Sequence, residues 1–338
     1  MTPDVSLRFE GLPPGTLRQP GHVVAPRVSP LDPLRRELGR ELRIGIVRNR
    51  KARLNVARHG LDHGLDANCI APRSHAELDA ALADFAAEGV NALVINGGDG
   101  TVRDVLTAAA RQFATPLRVA VLPSGKTNAL ATDLRLPHGW TEQDAVAALR
   151  AGRTVERSPM RITRADGAEL HGFILGAGAF VRATALAQRT HRFGAFNGLA
   201  VGLSVAGGVA QTLFGGAASV WRQGTPMRIV LPHGRADEGA KYMLFASTLE
   251  RLPLGIRPFG EPRPGLKLLS IDAHPRLLAA RLPALLGGQA LPADGGYRRD
   301  DADTVELAID GEFVLDGETF PGGEMTLSRA PAIGFAVP

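Results

Sequence analysis

Cysteine is almost missing from this chain: Cys69 stands alone in 338 residues. One thiol cannot close an internal disulfide, so a disulfide-stapled scaffold is excluded and burial of apolar side chains must hold the fold. Lysine is nearly as scarce, at positions 51, 126, 241 and 267 only, within a Lys+Arg total of 39. Aromatic residues amount to 5%. The basic residues are scattered without interleaved aromatics, which argues against a nucleic-acid binder. A net charge of +5 suits anionic partners such as nucleotides or acidic lipid headgroups, although a solvated, arginine-rich surface gives the same number. No GxxxxGK[ST] string occurs, so a P-loop is excluded. The opening forty residues carry no apolar h-region, and no signal peptide is expected in them.

Long apolar runs are also few. Residues 193–221 contain no charged side chain and are flanked by Arg192 and Arg222. The stretch is long enough for a bilayer span. It is rich in Gly, Ala and Ser, however, and poor in Leu, so a buried or lipid-contacting helix is expected instead of a transmembrane one. Gly207-Gly208 and Gly215-Gly216 should break it.

What is present divides the chain into parts. Residues 1–41 read as a Pro/Arg-rich mobile tail. From 42 to 160, strand-like runs (42–47, 93–95, 119–122) alternate with helical patterns (76–87, 101–110, 145–149). That alternation predicts a parallel sheet and a Rossmann-like α/β domain. From 161 to 325, Gly and Pro become frequent between short β-like runs at 172–175, 227–231, 242–248, 266–271, 305–315 and 325–328. These predict an all-β, sandwich-like second domain. The fold class is thus α/β plus all-β, with the segment 326–338 expected to return to the first domain.

The most informative string is Gly97-Gly98-Asp99-Gly100-Thr101. It follows the apolar run Leu93–Ile95 and opens a helical pattern containing Val102, Val105 and Leu106. Strand, glycine turn and helix start together make a phosphate site: glycines let the backbone approach the oxygens, and free N–H groups point at the anion. Asp99 adds a carboxylate beside which Mg²⁺ could sit. A second loop, Pro123-Ser-Gly-Lys-Thr-Asn128, also follows a strand and precedes a helix. A chain that nearly avoids lysine places Lys126 there, which suggests a phosphate contact. Near the C-terminus Asp-Gly-Glu occurs twice. The alternation of Leu307, Ile309, Gly311, Phe313 and Leu315 keeps the first copy inside a strand, with Asp310 and Glu312 outward. The second copy, Asp316-Gly317-Glu318, enters a turn.

These strings resemble those of the diacylglycerol kinase-like lipid kinases, a family that includes diacylglycerol, sphingosine and ceramide kinases. The first matches the family's GGDGT motif, which NAD kinases share. The second matches its nucleotide loop at Pro123, Gly125, Asn128 and Ala131. Asn49 matches the first residue of a third, NPxSG-like loop at the exit of the first strand, where Lys51 also lies. The resemblance implies an ATP-dependent phosphotransferase acting on a lipid hydroxyl at a membrane surface. It implies Asn49, Lys51, Gly97, Gly98, Gly100, Thr101, Arg103, Asp104, Gly125, Lys126, Thr127 and Asn128 around ATP, and Asp99 as the Mg²⁺ ligand. Asp316 and Glu318 then activate the acceptor hydroxyl, since transfer to an alcohol needs a carboxylate to take the proton. The family's auxiliary Mg²⁺ segment aligns with residues 261–269, where Pro264 replaces the acid, so that site is not expected. The implied setting is cytoplasmic, peripheral to the inner membrane face, without nucleic acid. The alternatives are an NAD kinase-like enzyme and a non-catalytic lipid-binding regulator on the same fold. Ala129 stands where NAD kinases usually carry an acid.

Overall fold

A computed structural model describes residues 41–50, 68–115, 117–192, 223–232, 234–275, 277–292 and 295–338. The tail 1–40, Lys51 and the uncharged stretch 193–221 lie outside the described residues. Residues 42–338 form one compact unit, built on two sheets.

The first sheet begins with β1 (Ile44–Arg48), β2 (Asn68–Ile70), the helix α1 (His75–Ala87), β3 (Ala92–Gly97), the helix α2 (Asp99–Gln112) and β4 (Arg118–Pro123). Two shorter helices, α3 (Ala129–Asp133) and α4 (Glu142–Arg150), lead to β5 (Thr154–Arg157). All six residues of β3 are buried, as befits a central parallel strand covered on both faces. The α4 start is fixed by a capping box between Thr141 and Asp144, which satisfies two orphan helix donors at once.

The second sheet comprises β6 (Met160–Arg164), β7 (Glu169–Gly172), β8 (Ile174–Gly178), β9 (Thr225–Val230), β10 (Ala236–Ser247), β11 (Leu266–Asp272), β12 (Tyr297–Ala302), β13 (Thr304–Leu315) and β14 (Glu318–Arg329). Helix α5 (Ala179–Arg192) follows β8, and α6 (Leu278–Gly287) follows β11. It is one continuous antiparallel sheet in the order β12-β11-β10-β8-β13-β14-β6-β7, in which β9 also pairs with β10 and β13. Strands β8 and β9 therefore share one slot: each pairs with a different half of β10 and of β13. The expectation of a Rossmann-like parallel domain followed by a β-rich one holds, with the second built as a single sheet of nine strands.

The chain then returns. β15 (Ile333–Ala336) inserts between β4 and β5, parallel to the first and antiparallel to the second. The returning segment is shorter than 326–338, because β14 keeps residues up to Arg329 in the second sheet.

Helix α2 lies at the meeting of the two sheets. Its Thr107 hydroxyl accepts the His171 N–H of β7 at 2.9 Å. A second tie is the buried Asp133, which accepts Arg157 Nε at 2.6 Å and the Arg251 backbone N–H at 2.6 Å. Among the described residues no helix is long and apolar enough to cross a membrane.

Candidate active site

Three loops meet at the first turn of α2. The turn opens at Gly98, which caps the helix with no side-chain hydrogen bond, leaving first-turn N–H groups for an outside acceptor. Gly98 and Gly125 stand back to back: a Cβ on Gly125 would lie 2.5 Å from Gly98 Cα. A Cβ on Gly97 would lie 2.5 Å from Thr101 Cβ. Gly98 and Gly125 are thus required by the close approach of the two loops, and Gly97 by the Thr101 side chain packed on it.

Asn128 shapes the second loop. Its backbone is left-handed, φ 52 and ψ 52, a conformation Asn tolerates better than most residues. Its Oδ1 accepts the Gly125 N–H at 2.9 Å, and its Nδ2 donates to the Gly125 carbonyl at 3.0 Å. Lys126 and Thr127 are exposed at the loop tip. Asn49, at the exit of β1, donates from Nδ2 to Thr101 Oγ1 at 2.7 Å. Its side chain therefore braces the helix turn.

Asp99 does not extend into open space. Its Oδ1 accepts the Ala129 N–H at the start of α3, at 2.7 Å. Burial raises its pKa, against the lowering effect of the α3 backbone N–H groups. Among the described residues no group of three or more His, Cys, Asp or Glu could hold a metal. One Asp99 oxygen is committed to joining the two loops, and the metal expected beside it is one that would arrive with a nucleotide. The residues do fit a metal carried in by phosphate oxygens.

The second Asp-Gly-Glu forms the turn between β13 and β14. Leu315 pairs with Glu318, and Asp316 and Gly317 have φ of 46 and 86. This is the two-residue hairpin turn that favours Asp-Gly. The Asp316 carboxylate accepts N–H bonds from Phe173 at 3.0 Å and Ile174 at 2.9 Å. It also rests on Gly172, where a Cβ would lie 2.6 Å from its Oδ2. Burial first, and then the nearby Asp99 charge, push Asp316 up to about 7. Glu318 is the more exposed of the two, at 59%, and its Oε1 would lie 3.6 Å from a Cβ on Gly100. The first Asp-Gly-Glu is elsewhere on β13, with Asp310 and Glu312 exposed at a bulge.

Arg103 and Asp104, expected near the nucleotide, are bonded to each other and to neighbouring elements. The Arg103 side chain is 2% exposed. It donates to the Leu315 carbonyl at 3.0 Å, to Asp104 at 2.7 Å and to Glu318 at 2.7 Å. Burial works against its charge, but Asp104 and then Glu318 outweigh it and hold its pKa above the ordinary value. Asp104 spends its other oxygen on His75 at 3.4 Å.

Sequence reasoning missed the layer beneath the loops. Ser124 donates to Asn96 at 2.6 Å, Asn96 donates to Glu142 at 2.8 Å, and Glu142 takes a two-pronged bond from Arg48 at 2.9 and 2.6 Å. This chain links the ends of β1, β3 and β4 to α4. The only signal was an acid in a helix first turn, which reads equally well as dipole compensation. In the 261–269 segment, Lys267 donates to the Arg263 and Gly265 carbonyls, each at 2.9 Å. Burial, and then Arg263, lower it to about 8. An ammonium thus ties together the loop that carries Pro264.

Residues 48–162 match the family model of the diacylglycerol kinase catalytic domain. A solved structure of a candidate diacylglycerol kinase from Bacillus anthracis str. Sterne aligns at 14% identity, covering 88% of this chain and 97% of that one, with a TM-score of 0.62. A second diacylglycerol kinase structure from the same organism aligns at 12% identity over the same shares, with a TM-score of 0.57. Identities this low establish the fold alone. None of the curated proteins matches the chain.

Proposed function

We propose that this chain, which carries the diacylglycerol kinase catalytic-domain signature over residues 48–162, transfers the γ-phosphate of ATP to the hydroxyl of a lipid at a membrane surface. The observation that carries the reading is the meeting of a side-chain-free helix start at Gly98 with a hairpin turn bearing Asp316 and Glu318. One end receives phosphates, the other receives an alcohol.

ATP would supply the phosphoryl group, and a magnesium ion bound with it would supply charge neutralisation. The backbone of 97–101 and 125–128 cradles those phosphates, and exposed Lys126 adds a mobile point charge. Asp99 holds the two loops in one geometry, and its negative charge would hold the magnesium that ATP brings. Glu318 lies beside Gly100 at the helix start and takes the acceptor's proton at its carboxylate as the new O–P bond forms. Asp316, bound by two backbone N–H groups, fixes the hairpin relative to β8. The contribution of these residues is placement and charge neutralisation. Acceptors of the right chemistry are diacylglycerol, ceramide and sphingoid bases, met by a cytoplasmic enzyme resting on the membrane face.

The test is transfer of labelled phosphate from ATP to a panel of those three lipids, monoacylglycerol and a polyprenol, with NAD included. Label on a lipid is expected. Label on NAD alone would establish the NAD kinase reading, and label on nothing would favour a lipid-binding regulator.

A further inference from the structure

The arginine at position 103 is fully buried beside the two phosphate loops, and three directions of its guanidinium are occupied. Nε and one terminal nitrogen hold Asp104 Oδ1 at 3.0 and 2.7 Å. That terminal nitrogen also holds Glu318 Oε2 at 2.7 Å, while the other holds the Leu315 carbonyl at 3.0 Å. The Phe320 ring lies over the guanidinium, its centroid 5.1 Å away. Leu315, Glu318 and Phe320 all belong to the β13–β14 hairpin; Arg103 and Asp104 belong to α2. One side chain thus clasps the hairpin at both ends of its turn.

The same helix turn faces the phosphate loops. Thr101 is held by Asn49, Asp99 by Ala129, and Gly98 abuts Gly125. The first five residues of α2 are therefore common ground for the nucleotide cradle and the acceptor carboxylates. From this geometry we infer that Arg103 is a positioning residue for phosphoryl transfer: it sets Glu318 at a fixed place relative to the helix start, and it does not contact the nucleotide. The inference rests on the lipid kinase reading. A planar fork reaches its acceptors from three separate nitrogens held in one plane, a spread that the single nitrogen of a lysine does not cover.

Among the described residues Arg103 holds Glu318 from α2, Asp104 shares that guanidinium, His75 of α1 lies beyond Asp104, and Asp316 occupies the turn of Glu318 itself. Removing the guanidinium leaves Glu318 without the partner that fixes it, while the glycine cradle is untouched.

The experiment compares wild type, Arg103→Lys, Arg103→Met, Glu318→Gln and the two Arg103 variants combined with Glu318→Gln. Arg103→Met is expected to lower kcat at least tenfold with KM for ATP within about twofold, and Arg103→Lys to recover part of the loss. In the Glu318→Gln background the Arg103 changes should have no further effect on kcat, because the group they position is already gone. A rise in KM for ATP with kcat unchanged would show that Arg103 binds nucleotide and would overturn the inference. Full additivity of the double variants would overturn it too, since that marks a general structural role. Should wild type prove inactive on every acceptor, the lipid kinase reading falls on its own. Amide hydrogen exchange then decides the clasp: Arg103→Met must speed exchange at residues 313–320, and unchanged protection there would refute it.

Discussion

Gly125 and Gly98 press their backbones together so closely that a methyl group on Gly125 would stand 2.5 Å from Gly98 Cα and 2.9 Å from Asn128 Oδ1. The first neighbour is backbone and the second is a side-chain end pinned by the Gly125 N–H, so the loops must part to admit it. Gly125→Ala is expected to cost about 1–3 kcal/mol of stability, the range of an overpacked contact, and to weaken ATP binding at least tenfold. Calorimetric titration with a non-hydrolysable ATP analogue, alongside a thermal melt, checks both. Unchanged nucleotide affinity would show that the facing loops do not form the cradle.

Asp99 joins loops by accepting the Ala129 N–H. Deleting that acceptor should act like loss of a helix cap, about 0.5–2 kcal/mol. Asp99→Ala is therefore expected to lose both stability and turnover. Asp99→Asn keeps a carbonyl acceptor and should melt near wild type while remaining strongly impaired in phosphoryl transfer. An asparagine variant with full turnover would remove the negative charge from the mechanism.

Asp316 makes stability depend on pH in a defined window. Its folded pKa, pushed up to about 7, lies above the ordinary value of 3.8. The folded state then binds the proton more tightly than the unfolded state does. Stability from this group is complete below about pH 4 and drains away as the pH rises through 7. Between pH 5 and 8 the wild type should lose more melting temperature than Asp316→Asn does. Parallel melting curves over that range would refute the assignment.

The two Asp-Gly-Glu copies should separate cleanly in a kinetic assay. Glu318→Gln should lower kcat by roughly 10²-fold or more, the scale of losing a general base. Glu312, exposed at a bulge on β13, should tolerate the same change with turnover within about twofold. A larger loss at Glu312 would move the acceptor site to the other copy.

The sequence made the strand–glycine–helix junction at 97–101 legible because its constraints are local: an apolar run, missing Cβ atoms and a helical period lie within a dozen residues. The turn at the second Asp-Gly-Glu was legible for the same reason, since alternation through Phe313 and Leu315 stops where the Asp316-Gly317 turn begins. The partners of Arg103 were not legible because they are far along the chain; nothing near position 103 distinguishes a guanidinium aimed at a phosphate from one aimed at Glu318. The Arg48–Glu142–Asn96–Ser124 network was invisible for that reason as well. Strand β12, Tyr-Arg-Arg-Asp-Asp-Ala over 297–302, carried no apolar alternation. Its burial comes from Tyr297 and its register from pairing with β11, so only the neighbouring strand reveals it.

Strand β15 has a consequence for how the molecule is assembled. It fills the gap between β4 and β5, with Phe335 fully buried there. The nucleotide half therefore stays an open, unfinished sheet until the whole of the second half has been made and has delivered the strand back. Two neighbours that meet across such a distance in sequence form late and slowly. A fragment cut after residue 162, where the catalytic signature stops, would expose the facing edges of β4 and β5 and invite a foreign strand into the vacancy. Truncation between the two halves should therefore give aggregates, and adding β15 back as a separate peptide should compete with that aggregation.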